Sequence, residues 1–300
     1  MRTETIDALT EYARANPDVM LLTADLGYSV LERFADELPQ QFANVGVAEQ
    51  AMVGIAAGLA LSGRRVVVYS IANFATLRCL EQLRNDVCYH NLPVTVISVG
   101  GGFSYGTQGY THQGIEDLGI MAMLPHMAVT CPSDPVEATI LLRELLERRG
   151  PGYLRLGRAG EPVLHLPETQ LTLGRAVWLR SGDQVALLAT GPVLGRALAA
   201  ADALMERGIS ASVASIHTIR PLDDEAICDA AKAHRAILTI EEHNVDGGLG
   251  SRVADTLLSA GLTPRFGKWG ATEELHGQVG SQAWLLDRLG PIADHASALL

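Results

Sequence analysis

Glu49 is the first residue of this chain that raises a chemical question. It stands in the stretch from Asn44 to Gly58, NVGVAEQAMVGIAAG, at the head of a run built almost wholly from Val, Ile, Met, Ala and Gly. An acidic residue in the first turn of a helix complements the exposed N–H groups and the positive end of the dipole, and that role alone would account for it. The run that follows, AMVGIAAGLALSG, is apolar around its whole circumference, which is the pattern of a buried helix. A carboxyl opening a buried helix is expected to be partly desolvated, which favours its protonated form. A carboxylic acid held neutral near pH 7 can donate or share a proton at a catalytic centre.

The second candidate is His112, at the middle of GGGFSYGTQGYTHQGIEDLG, Gly100 to Gly119, flanked by Tyr110, Thr111 and Gln113. A lone histidine in such a stretch is often only a surface loop residue. This one follows directly after an apolar run read as a strand, and open α/β sheets bind ligands at the carboxyl ends of their strands. The polar neighbours suit a ring that exchanges protons or hydrogen bonds.

The elements that must position these residues are legible as alternating strands and helices. Short apolar runs at 19–24, 66–70, 94–100, 185–190, 210–216 and 236–242 are separated by helical patterns. Continuous apolar strands between helices indicate parallel sheets covered on both faces, so the fold class is α/β: two three-layer domains with mostly parallel sheets. Residues 156–174, LGRAGEPVLHLPETQLTLG, carry two prolines and no sustained period, and are read as a linker near 160–175. This gives domains at 1–160 and 176–300 with a linker at 161–175. CPSDPVEA opens a helix with Asp134 as N-cap, Pro135 at the first turn and Glu137 three residues after the cap, and RPLDDEA at 220–226 has a related start.

Composition excludes several classes. With 48% hydrophobic residues, 300 residues can bury a full core or two. The net charge of −11 gives no basic field for nucleic acid and would be repelled by an anionic membrane surface. Cys79, Cys88, Cys131 and Cys228 form no C-x-x-C pair and are read as reduced packing residues, in keeping with a cytoplasmic location. No run approaches the ~20 apolar residues of a membrane span, and the first residues lack the apolar core of a signal peptide. Neither GGGFSYG nor GGLGSRV satisfies G-x-G-x-x-G, because the last position falls on Tyr105 or Val253, so a dinucleotide site is disfavoured. No phosphate loop of the G-x-x-x-x-G-K type occurs, and the nine histidines show no metal-ligand spacing, so no metal is expected to be held by this chain alone.

Taken in order, GVAEQAMVGIAAGLALSG, YSIANFATLRCLEQLRNDVCY, GYTHQGIED, CPSDPVEA, YLRLGR, TIRPLDDEA and EEHNVDGGLGSRVAD resemble the C-terminal half of transketolase over essentially the entire chain. The resemblance implies a pyrimidine-binding domain followed by the small transketolase C-terminal domain, as in the C-terminal subunit of a split transketolase. It implies that Glu49 hydrogen-bonds the ring nitrogen N1′ of thiamine diphosphate, which needs a carboxyl able to share a proton. The cofactor then carries the carbanion chemistry while the protein orients it. Phe74 matches the aromatic that stacks on the aminopyrimidine, and Leu77 falls where a second aromatic is often found. Asp25 and Leu26 match the segment beside the thiazolium, although Asp25 could equally be a strand-end cap. His112 matches the histidine that faces the reacting carbon, so Glu49 and His112 are the expected catalytic pair. Arg2, Ser29 and Arg158 match positions that bind a sugar phosphate, a task suited to the forked guanidinium.

Two departures qualify the substrate. Gln108 stands where the family usually has an Asp that reads sugar hydroxyls, and a substrate-contacting His falls near Gly100. The family also binds the diphosphate and a divalent cation through a GDG motif on a separate domain, and this chain has none; the nearest string is SGDQ at 181–184. The resemblance therefore implies a partner subunit carrying the diphosphate domain, Mg2+ held mainly by that partner and the phosphates, and an α2β2 heterotetramer. The expected reaction is transfer of a two-carbon ketol unit from a ketose to an aldehyde. Two alternatives stay open: a related thiamine-dependent enzyme that decarboxylates a 2-oxoacid, and a non-catalytic partner subunit. No residue beyond about 176 is assigned to chemistry; EEHNVDGGLG is read as fold and interface.

Overall fold

The computed structural model describes residues 1–300. Six strands come before the linker: β1 (Val19–Thr23), β2 (Phe42–Asn44), β3 (Arg65–Ile71), β4 (Val94–Val99), β5 (Ala128–Thr130) and β6 (Gly152–Arg155). Six follow it: β7 (Val177–Arg180), β8 (Val185–Thr190), β9 (Ala211–Ser215), β10 (Thr218–Arg220), β11 (Ala236–Asn244) and β12 (Arg265–Ala271). They form a seven-stranded sheet in the order β10-β5-β6-β4-β3-β1-β2 and a five-stranded sheet in the order β12-β11-β8-β9-β7. All pairings are parallel except β10 with β5 and β7 with β9, both at sheet edges. The two mostly parallel α/β domains expected from the apolar runs are thus present.

Central strands β4 and β8 are buried at every position, as a sheet covered on both faces requires. Of the strands outside the apolar runs, β2, β5 and β10 are three residues long and β6 and β7 four, too short to show a period, while the seven-residue β12, RFGKWGA, is broken up by Arg265, Gly267, Lys268 and Gly270. Strand β10 lies beyond the linker in sequence, yet it closes the edge of the first sheet through Thr218 and Thr130. The second half of the chain therefore completes the first sheet. Asp134 caps the helix Pro135–Glu147 by accepting the Glu137 N–H at 2.9 Å, and Asp223 accepts the Ala226 N–H at the start of Asp224–Ala233.

The linker contains no helix or strand, yet its backbone is held. Leu164 and His165 donate their N–H groups to Asp134, each at 2.8 Å, and Leu173 donates to Glu144. Cys79, Cys88 and Cys131 are buried free thiols, and burial pushes Cys79 and Cys88 up to about 12, which removes thiolate chemistry near neutral pH. No helix is long and apolar enough to cross a membrane.

The helix Glu49–Leu61 corrects the sequence reading. Met52, Val53, Ala56, Ala57 and Ala60 are buried, but Gln50, Ala51, Gly54, Ile55, Gly58 and Leu61 face outward. An apolar circumference predicts burial on all sides, and within this chain only one side is covered. The uncovered side is lined by small residues: a Cβ added at Gly54 or Gly58 would meet nothing within 4 Å.

Candidate active site

Six candidates of the first domain lie in segments that follow the carboxyl ends of parallel strands, whereas Arg2 opens the helix Arg2–Ala15 ahead of the first strand. Asp25 and Leu26 follow β1, Glu49 follows β2, Phe74 follows β3, His112 follows β4 and Arg158 follows β6. Register aligns these ends, since Thr23 pairs with both Asn44 and Tyr69, and Ile71 pairs with Val99. The sheet thereby gathers residues far apart in sequence along one rim, the place where such sheets bind ligands.

Glu49 is 4% exposed and opens its helix, where the first-turn N–H groups favour a negative group. It is not alone there. Arg78 donates from Nη1 to Glu49 Oε1 at 2.8 Å, a counter-charge that the expectation of an isolated, proton-bearing carboxyl did not include. The same guanidinium lies over the Phe74 ring at 4.1 Å from its centroid, and Gln50 fixes the Arg78 carbonyl at 3.0 Å. Phe74 in turn meets His112 edge to face, with ring centroids 5.2 Å apart. Glu49, Arg78, Phe74 and His112 therefore form one continuous group. Three of the four were singled out in the sequence. Arg78 was missed, although its place four residues after Phe74 in a helical run was the available signal.

His112 is half-buried and its Nδ1 pairs with Thr111 Oγ1 at 2.9 Å. Asn73 supports the loop by donating to the carbonyls of Gln113 at 2.9 Å and Thr111 at 3.2 Å. Asp25 has φ of 54° and takes part in a local network. Its N–H meets Asn44 Oδ1, and its carboxylate accepts from Asn44 Nδ2 and Tyr28 Oη. This network ties the end of β1 to the turn before Glu49, which is the strand-end capping role left open above. Leu26 is half-buried beside it, its carbonyl accepting from Thr23 Oγ1 at 2.8 Å.

The residues expected to meet substrate divide into two sets. Burial pushes the Tyr69 phenol up and the charge of Arg2 pulls it back, while Tyr69 Oη and Arg2 Nε are both buried without a hydrogen-bond partner. Arg158 stands over the Tyr105 ring at 5.9 Å. The two arginines thus approach one pair of tyrosines, Tyr69 and Tyr105, which the sequence reading did not single out. Tyr105 also explains Gly100: a Cβ there would lie 2.1 Å from the Tyr105 ring, so the aromatic fills the space that a side chain at 100 would need. Ser29 and Gln108 are exposed and do not join this group. Ser29 has φ of 63°, and its N–H is taken by the Glu32 carboxylate at 2.7 Å, a negative neighbour unsuited to a phosphate. Gln108 ends a short turn at Gly106–Gln108.

Comparison with known proteins places the sequence and the fold in one family. Residues 1–160 match the family model of the transketolase pyrimidine-binding domain, and residues 174–295 that of the transketolase C-terminal domain. One apulose-4-phosphate transketolase subunit, from Phocaeicola vulgatus, is 40% identical over 84% of this chain and 81% of its own length. The 6-deoxy-6-sulfo-D-fructose transketolase subunit SqwH of a Clostridium species (strain MSTE9) is 35% identical over 94% and 91%. A solved split-gene transketolase, described as an inactive β4 tetramer, superposes with a TM-score of 0.88 at 35% identity, covering 99% of this chain and 95% of its own.

Proposed function

This chain belongs to the transketolase family, and from that premise we propose that it is the C-terminal subunit of a split, thiamine diphosphate-dependent transketolase. The observation that carries the reading is the grip of Glu49 and Phe74 on Arg78. A planar cation lies on an aromatic face while donating an N–H to a buried carboxylate. A flat aminopyrimidine placed on Phe74, with its ring nitrogen toward Glu49, makes the same two contacts, so the residues present fit the group. When bound, thiamine diphosphate supplies the carbanion centre that accepts and releases the ketol unit.

The protein's own part is positional and protonic. Glu49 holds or shares the proton at the pyrimidine nitrogen, Phe74 fixes the ring plane, and His112, edge to face with Phe74, meets oxygens of the bound sugar. Arg2 and Arg158 receive an anionic substrate tail beside Tyr69 and Tyr105. Arg78, 45% exposed, moves aside when the cofactor enters.

The diphosphate and Mg2+ belong to a partner chain, and the assembly is an α2β2 heterotetramer with the site between chains. Support comes from the outward face of Glu49–Leu61, where Ala51, Gly54, Ile55, Gly58 and Leu61 lie uncovered on the helix that Glu49 opens. Glycines in open space on such a face admit close approach of another helix. The test is turnover by the assembled pair with hydroxypyruvate, pyruvate and phosphoketoses as donors. Ketol transfer from hydroxypyruvate or a ketose supports the reading. Product from pyruvate alone would replace it with a 2-oxoacid reaction.

A further inference from the structure

The loop carrying His112 is anchored in the opposite domain. Phe103 and Ile115, at its two ends, are fully buried and belong to the apolar cluster of the second domain, with Val185, Ile240, Trp269 and Leu285. The Phe103 N–H donates to Glu242 Oε1 at 2.7 Å, and the Ile115 carbonyl accepts from the Asn244 N–H at 2.8 Å. Just before each anchor the loop closes on itself through Gly102 and Gly114, whose N–H and carbonyl groups exchange two bonds of 2.7 and 2.9 Å. Gln113, next to His112, donates to the Gln278 carbonyl at 2.8 Å.

Glu242 is the charged centre of this anchorage. It is 3% exposed, accepts from Gln282 Nε2 at 2.9 and 3.0 Å as well as from Phe103, and its carbonyl accepts from Arg155 at 2.8 Å. Burial pushes its carboxyl up, while the Gln282 and Phe103 donors and the Arg155 charge favour the ionised form. Gly102 has φ of 64°, and a Cβ there would fall 2.4 Å from Glu242 Cγ, so only glycine lets the loop approach the carboxylate. Arg155 also binds the Gly114 carbonyl and lies 3.1 Å from Asp117. The second domain thus grips both sides of the turn that presents His112.

We propose that Glu242 is a positioning residue: through the Phe103 N–H and the closed Gly102–Gly114 turn it fixes His112 against Phe74, so the C-terminal domain sets the geometry of the reaction. This rests on the functional reading above. Phe74 meets the loop through His112 and through the bonds of neighbouring Asn73, but neither Glu49 nor Phe74 bonds Glu242, so the clamp is expected to govern the chemical step rather than cofactor affinity.

Two measurements test it on Glu242→Ala, on Glu242→Gln, which keeps an acceptor for Phe103, and on Gly102→Ala should Glu242→Ala fail to fold. In the chain alone, hydrogen exchange of the amides at 100–116 is expected to rise about tenfold in Glu242→Ala while β1 and β3 are unchanged, with Glu242→Gln close to the parent. In the assembled pair, kcat is expected to fall about 10- to 100-fold with thiamine diphosphate affinity unchanged, and Glu242→Gln to restore most of it. Unchanged loop exchange, or faster exchange with kcat intact, would overturn the proposal. No turnover by the unsubstituted pair would sink the functional reading instead, and the exchange result would still support or overturn the clamp.

Discussion

Arg155 and Arg78 each meet a buried carboxylate, one at the junction between domains and the other at the strand-end site. Yet the Arg155 side chain is 3% exposed and that of Arg78 45%. At the junction Arg155 faces Asp117, Tyr153 bonds Asp117, and Glu242 takes donors from both sides, so the charges there are enclosed by protein. At the site, Glu49 has one flexible partner, Ser29, Gln108 and Arg158 face solvent, and the adjoining helix leaves an apolar side uncovered. The difference separates groups that hold the fold from groups reserved for something that has yet to bind.

If that separation is right, changing Glu49 harms chemistry and spares stability. Glu49→Gln is expected to lower kcat of the assembled pair by about 10²- to 10⁴-fold, the range for losing a positioned acid or base. The urea midpoint of the chain should stay close to the parent's. A large fall in that midpoint would place Glu49 with the structural charges. Arg155→Met should do the reverse, since breaking a buried pair costs about 3–5 kcal/mol by stranding its partner. Equilibrium urea unfolding reads this directly, and a loss under about 1 kcal/mol would mean the junction is no more enclosed than the site.

The linker belongs with the enclosed group, and pH can show it. Burial would raise the Asp134 carboxyl, but His165 and the N–H groups of Glu137, His165 and Leu164 hold it down to about 2. A depressed carboxylate contributes stability that is complete above its unfolded value near 4 and is lost as pH falls from there toward 2. The contribution is about 2 kcal/mol by linkage. Unfolding free energy measured from pH 5 to 2 should therefore fall less steeply in Asp134→Asn than in the parent. Equal slopes would remove Asp134 from the account.

The smallest effect is expected at Arg78. A half-exposed ion pair is worth about 0.2–1 kcal/mol, so Arg78→Ala should tighten thiamine diphosphate binding by the assembled pair by no more than about fivefold. Weaker binding would show that Arg78 contributes to the pocket after the cofactor arrives.

Much of the site was legible because strand ends are marked by apolar runs that stop at Gly, Asp or Asn. Asp25 and Phe74 follow such runs closely, Glu49 heads an apolar helix and His112 sits in the glycine-rich loop after β4, and the sheet does the rest. Arg78 was not legible as Glu49's partner because their pairing spans 29 residues and depends on how two short helical segments meet. Glu242 was read as fold and interface; its link to the His112 loop crosses 139 residues of sequence and two domains, beyond any local pattern. The uncovered face of Glu49–Leu61 was misread for a related reason. Apolar periodicity tells that a face is to be buried, not by which chain.

The most direct test of the shared site is isothermal titration of thiamine diphosphate with Mg2+ into this chain alone, and then into the chain mixed with a partner carrying the diphosphate domain. The account predicts tight binding only in the mixture. Tight binding by the chain alone would contradict it, and the diphosphate would then have to be held by residues of this chain.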